Sequence, residues 1–232
     1  MSLLSLTYTP YIVLMGDIIH SKSLETYQRY QVQENFSSIL KEINQKYANS
    51  ISSRLQITMG DSFQGLLYAG GDVMHILWEI EQRLYPIRLR FGIGIGNIST
   101  QINPLHSEDI DGTAYHNARA AVDYLKKSER KKQSPSADIH ICIDNEDQSL
   151  ERLLNTIFLL SFSLKERWTA RQRQIINDIL LHQDKQSAVA ERLKISQPTV
   201  QKILLAGKYY IFKDSFDTIT HTLKTLTFSS HV

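Results

Sequence analysis

Apolar residues recur at every second position in some stretches of this chain and at every third or fourth in others. That change of period divides it into strands and helices. Residues 10–16 read as an apolar strand that runs into Gly16-Asp17. Over 24–47, Leu24, Tyr27, Tyr30, Phe36, Ile39, Leu40, Ile43 and Tyr47 fall on or near one helical face. Residues 52–58 and 62–68 are strands on either side of Gly60-Asp61, which predicts a hairpin. Helical spacing returns over 72–84, through Val73, Ile76, Leu77, Ile80 and Leu84. Residues 87–98 alternate through Ile87, Leu89, Phe91, Ile93 and Ile95; a helix over 112–127 and a strand over 137–143 follow. The order is β-α-β-β-α-β, then α-β. Its first six elements match the split-βαβ, ferredoxin-like plan, so the expected fold is α+β, with a mixed sheet and helices on one face. The polar stretch from Lys126 to Ser136, broken by Pro135, reads as an exposed loop.

Near Ser163 to Thr169 the pattern changes. The expected division is a sheet domain over 1–147, a connecting helix over 148–168, and a small all-helical domain over 169–232. Thr169 is placed to cap a helix reaching His182, with Ile175, Ile176 and Ile179 inward. The segment 186–205 then reads as a helix-turn-helix. Val189 and Leu193 lie one turn apart on a first helix, Ala190 is small where two helices meet, and Ile195 plugs the turn. Ser196 caps the second helix, Pro198 is tolerated in its first turn, and Val200 and Ile203 face inward. Lys194 stands where such turns often have glycine.

Charge sharpens this division. Residues 1–164 carry 15 Lys and Arg against 18 Asp and Glu, whereas residues 165–232 carry 11 against 6. An acidic body with a basic tail suggests that a polyanion meets the tail first. In a helix-turn-helix the second helix enters the major groove, so Gln197, Thr199, Gln201 and Lys202 are the expected base- and phosphate-contacting set. Gln186 and Ser187, at the start of the first helix, suit backbone phosphate. Double-stranded DNA is the expected partner, and symmetric sites call for a homodimer, although no segment specifies one. The single cysteine, Cys142, excludes an internal disulfide and reads as a buried, inert thiol in a reducing compartment. The apolar patch from Tyr11 to Met15 is too short to span a bilayer, so no membrane association and a cytoplasmic location are expected.

The sheet domain carries a second kind of candidate. The first and third strands of the ferredoxin-like plan are antiparallel neighbours. Asp17 lies just past the end of the first, and Asp61 lies in the hairpin just before the third, so topology should bring the two carboxylates together. Such a pair suits Mg²⁺ or Mn²⁺ and, with two ions, phosphoryl transfer. The alternative for Asp61 is an ordinary turn aspartate. Ser21 and Lys22 open the loop before a helix, where backbone amides could hold an anion; the alternative is a serine N-cap at Ser21 or Ser23. Gly92, Gly94 and Gly96 lie in a predicted strand and do not form a dinucleotide fingerprint. They read as close-packing positions under a helix or as ligand approach sites. His116 and Arg119 can share a helix face, with Asn117 beside them, and are candidates for phosphate or base; the alternative is a solvated face.

Several of these motifs together resemble the SatD family, a group of bacterial proteins. They are Gly16-Asp17-Ile18-Ile19 with Ser21-Lys22, Gly60-Asp61-Ser62-Phe63-Gln64-Gly65, Arg90 through Gly96, Asp111-Gly112 with Ala114-Tyr115-His116 and Ala118-Arg119, and the helix-turn-helix. More distantly, the N-terminal part is similar to class III nucleotidyl cyclase domains. These have a ferredoxin-like core with one metal-binding aspartate after the first strand and one in the following hairpin; Asp17 and Asp61 match both. The purine-selecting lysine of those enzymes falls on Ile57. Their transition-state asparagine and arginine fall on His116 and Ala120, with Asn117 and Arg119 alongside. The resemblance therefore implies a metal–nucleotide site that senses rather than converts. Three readings follow. The first is a DNA-binding regulator whose sheet domain senses a metal, a nucleotide or a partner. The second is a metal-dependent nucleotide-processing enzyme with an accessory helix-turn-helix. The third is an interaction protein that uses the sheet as a dimer surface.

Overall fold

A computed structural model describes residues 5–19, 21, 25–131, 137–144, 148–226 and 228–231. A five-stranded sheet runs in the order β3-β4-β2-β5-β6. Its strands are β2 (Tyr11–Ile18), β3 (Ile51–Met59), β4 (Ser62–Leu67), β5 (Leu89–Gly96) and β6 (Ile139–Ile143). The central strand β2 is antiparallel to both β4 and β5, and β6 lies parallel beside β5. Strands β2 to β5 have the ferredoxin-like order, with α1 (Thr26–Lys46) and α2 (Val73–Leu84) as its helices. The helix α3 (Thr113–Arg130) crosses from β5 to the fifth strand.

Helices cover both faces of the sheet, not one. Ile12 and Leu14 join Phe36, Ile39, Ile76 and Ile80 in the core under α1 and α2. Val13 and Met15 point the other way and pack with Ala114, Tyr115, Ala118 and Val122 of α3. The glycine row makes the second layer possible. A Cβ on Gly94 would lie 2.0 Å from the Ala114 carbonyl oxygen and 2.2 Å from the Ala118 nitrogen. Side-chain alternation thus leaves one side of β5 as isoleucine and phenylalanine and the other as bare backbone, against which α3 lies.

Helix α3 also runs further than the polar pattern suggests. Lys126 to Arg130 are helical rather than loop, and residues 132–136 of the expected loop lie outside the described residues. Charged residues continue a helix readily when their heads meet partners, as those of Lys126 and Glu129 do below.

Both edges of the sheet are closed by asparagine. On β6, Asn155 accepts from the Ile141 N–H and donates to its carbonyl, while Glu151 accepts from the Ile143 N–H. On β3, Asn44 makes the same pair of bonds to Leu55. A side-chain amide mimics the next strand at each edge, so backbone pairing with a further chain is blocked there.

Beyond the sheet lie α4 (Ser149–Lys165), α5 (Ala170–His182), α6 (Gln186–Arg192), α7 (Gln197–Ala206) and α8 (Tyr209–Thr225). The long α8 and a two-stranded ribbon between β1 (Ser5–Tyr8) and β7 (Phe228–His231) have no counterpart in the sequence expectation. One apolar cluster continues from the sheet core into the C-terminal helices. Within it Trp78 of α2 meets Phe212 and Phe216 of α8 at ring separations of 5.3 and 6.3 Å, and Trp168 at 6.2 Å. Trp168 donates its indole N–H to the Gly207 carbonyl at 2.7 Å, tying the start of α5 to the end of α7. Among the described residues, no helix is long and apolar enough to cross a membrane.

Candidate nucleic-acid interface and sheet-end carboxylates

The helix-turn-helix is built from local backbone rules. Thr169 and Gln172 form a reciprocal capping box that starts α5, whose Ile175, Ile176 and Ile179 are buried. After α6 the chain turns at Lys194, with φ at 53°, the left-handed conformation for which glycine is the usual choice. The Ile195 N–H then donates to the Ala190 carbonyl at 3.0 Å. Ser196 accepts from the Thr199 N–H and starts α7, with Pro198 in its first turn. Val189, Val200 and Leu204 are fully buried. Arg192 holds α6 against α5 by bonds to Asp178 and Asp184, and its hydrogen bond keeps the Asp184 carboxyl below the usual range.

This scaffold leaves Gln197, Thr199, Gln201 and Lys202 exposed along α7. Gln186, Ser187, Gln197 and Gln201 line one shallow groove, together with Tyr210 and Lys213 of α8. Gln186 donates to the Tyr210 hydroxyl at 2.8 Å, and the Thr199 hydroxyl lies 2.8 Å from that of Ser196. Tyr210 and Lys213 were missed in the sequence because α8 was. Its signal was present: Phe212, Phe216, Ile219 and Leu223 follow helical spacing and are buried.

At the sheet end the antiparallel register places Asp17 opposite Ser62, and the Ile18 N–H donates to the Asp61 carbonyl at 3.2 Å. The two aspartates are therefore neighbours along the backbone, as the topology requires. Ser21 donates its hydroxyl to the Asp61 carboxylate, whereas Lys22 and Ser23 lie outside the described residues. The N-cap of α1 is Glu25, not Ser21.

Asp17 is buried and already held by two cations. Arg90 Nη1 lies 2.9 Å from one carboxylate oxygen and Lys126 Nζ lies 2.6 Å from the other. Arg90 also binds Glu129. Burial works against the Arg90 charge, but its bonds to Glu129 and Asp17 outweigh that and raise its pKa. Asp17, Glu129, Arg90 and Lys126 form a cluster of alternating charge between β2, β5 and α3. Sequence reasoning missed Arg90, although it shares the α3-facing parity of Gly92 and Gly94 and pairs with Asp17 in an antiparallel register.

A divalent cation between Asp17 and Asp61 would sit beside the charges of Arg90 and Lys126, which already hold both oxygens of the Asp17 carboxylate and oppose it. The residues as placed do not fit such an ion. Asp17→Asn is accordingly expected to lower stability by about 2–4 kcal/mol, since it leaves Arg90 and Lys126 short of a counter-charge. Urea denaturation checks this. Mn²⁺ is expected to leave the melting temperature of the native chain unchanged. A Mn²⁺-dependent rise that Asp17→Asn abolishes would restore the metal reading.

His116, Asn117 and Arg119 sit elsewhere. They lie near the start of α3, beside the Gly96 end of β5, and Lys126 is about 10–15 Å further along the helix. His116 pairs with Asp111 at 3.2 Å, Asn117 donates to the Ile95 carbonyl at 2.9 Å, and Arg119 is exposed. They are not joined to Asp17, Asp61 and Ser21. Cys142 is half-buried, and burial pushes its thiol up to about 11, in keeping with an inert residue.

A ferredoxin-like α+β domain sharing its core with a helix-turn-helix region defines the class of this protein. The chain belongs to the SatD family, whose model matches residues 11–218. No curated protein matches its sequence. Among solved structures it is similar to a bacterial light-regulated adenylyl cyclase, at 14% identity and a TM-score of 0.42, over 59% of this chain and 76% of that one. It is also similar to the adenylyl cyclase CyaB from P. aeruginosa, at 15% identity and a TM-score of 0.37, over 63% and 83% of the two chains. A regulator of polyketide synthase expression from Bifidobacterium adolescentis aligns over 93% of this chain and 86% of its own, at 10% identity and a TM-score of 0.31.

Proposed function

We propose that this chain is a DNA-binding regulator in which α7 reads the major groove of double-stranded DNA and the sheet domain senses a nucleotide, another ligand or a partner. The observation that carries the reading is the row of exposed polar side chains at the start of α7, with the N-terminus of α6 beside it. Glutamine offers the donor–acceptor pair that matches adenine, and lysine suits guanine or phosphate. The basic balance of residues 165–232 supplies the attraction to the backbone. The shared apolar core gives a route by which an event on the sheet could shift the helical region.

The test is retardation of random-sequence duplex by the full chain at rising salt. Binding at low salt that weakens steeply supports the reading; no retardation by folded protein at low salt overturns it. Lys202→Ala is expected to reduce the salt slope by about 1 through loss of a phosphate contact. On a selected site, Gln197→Ala is expected to weaken binding by about 1–3 kcal/mol and to relax preference at one base position.

A further inference from the structure

Helix α4 carries apolar residues on its covered side and large leucines on its outer side as well. Nine of its seventeen residues are Leu, Ile or Phe. Leu154, Phe158 and Phe162 are buried against the core, while Leu153 and Leu160 on the outer side are each 61% exposed. Leu153 and Leu160 lie seven residues apart, so they stand one above the other on that outer face, among polar neighbours.

The outer face has an ordered pattern. Leu153, Thr156, Leu160 and Ser163 follow the 3-4-3 spacing of a two-helix seam, and the small Thr156 and Ser163 allow close approach. Immediately before Leu153 and Leu160, and seven residues further on, come Arg152, Leu159 and Glu166. These fall on one flank of the seam, where paired helices exchange salt bridges. Glu166 keeps helical backbone angles at the C-cap, so the flank continues to it. Among the described residues, neither Arg152 nor Glu166 takes part in an ion pair.

We propose that α4 pairs antiparallel with α4 of a second copy of this chain, about a twofold axis at Leu159. The charges select this occupant. Reversing the sequence about Leu159 exchanges Arg152 and Glu166, so each copy offers Arg152 to Glu166 of the other and Leu159 meets its own equivalent. The contact is self-complementary, as an isologous interface must be. Since α4 runs through Trp168 into α5, the pair would carry two helix-turn-helix units on one axis. The inference stands without DNA binding, and its test contains no DNA.

Sedimentation velocity of the full chain is expected to show a dimer at micromolar concentration. Leu160→Glu and Arg152→Glu should each raise the dimer dissociation constant by at least about tenfold while circular dichroism stays unchanged. Arg152→Glu combined with Glu166→Arg should restore the dimer, because the reversed charges meet again. A monomer at all concentrations, a dimer indifferent to Leu160→Glu, or a double reversal that stays dissociated would each overturn the proposal.

Discussion

Gly94→Ala is expected to destabilise the chain by more than about 4 kcal/mol, a large part of the total stability of a domain of this kind. The added methyl would lie 2.0 Å from the Ala114 carbonyl oxygen, 2.2 Å from the Ala118 nitrogen and 2.8 Å from the Ala118 Cα. All three are backbone atoms, so no rotamer change relieves the clash and α3 must rise off the sheet. That movement would also draw Lys126 away from Asp17 and Glu129 away from Arg90. Gly60→Ala is the control. Gly60 has φ of 62° but no heavy atom within 4 Å of the added methyl, so only left-handed strain of about 1–2 kcal/mol is expected. Urea denaturation of both variants separates packing from backbone strain. Equal losses would show that the glycine row serves chain conformation and not the seating of α3.

The same glycines show how far the sequence could be read. Alternation at 87–98 announced a strand, and glycine at every second position announced a close neighbour. The strand order and the adjacency of Asp17 and Asp61 followed from the βαββαβ pattern alone. The neighbour's face was not legible, because periodicity says which residues share a side but not what covers it. The Asp17 cluster was hidden for a related reason: its cations come from β5 and from the far end of α3, 73 and 109 positions away in sequence. Position after a strand identified the carboxylate; only tertiary packing determined that it is already neutralised. The helix-turn-helix was the opposite case. Its caps, its turn at Lys194 and its inward valines are local, and the structure reproduces each of them. Local rules did not reveal that α8 would pass beside it and add Tyr210 and Lys213 to the groove.

Lys165→Met is expected to cost about 3–5 kcal/mol at pH 7 and visibly less at pH 5. Lys165 is buried at the end of α4 and binds Glu81 of α2 at 2.7 Å and Asp138, which precedes β6. Burial acts against its charge, but the two carboxylates outweigh it and raise its pKa. Removing the ammonium strands the buried Asp138 and the half-buried Glu81, which among the described residues keeps Arg173 at 3.9 Å. The sign of the pH effect follows from Glu81. Its pKa is raised, first by burial and despite the attraction of Lys165. A carboxyl raised in the folded state favours folding most when protonated, and that contribution is lost as pH rises through its folded pKa. Without Lys165 the rise should be larger, so the deficit of the variant should shrink on acidification. Urea titrations at both pH values measure this, and a deficit that stays constant or grows toward pH 5 would refute it. Replacing all three together, with Glu81→Gln and Asp138→Asn added to Lys165→Met, should recover much of the loss, because no buried charge is then left unpaired. The triad joins α2 and the approach to β6 with α4, and therefore the sheet with the helices that carry α6 and α7. Loss of Lys165 should accordingly split a single unfolding transition into two, with Trp168 fluorescence and far-ultraviolet dichroism no longer coincident. Coincident transitions in the variant would mean that the aromatic cluster of Trp78, Trp168, Phe212 and Phe216 suffices to couple the two regions.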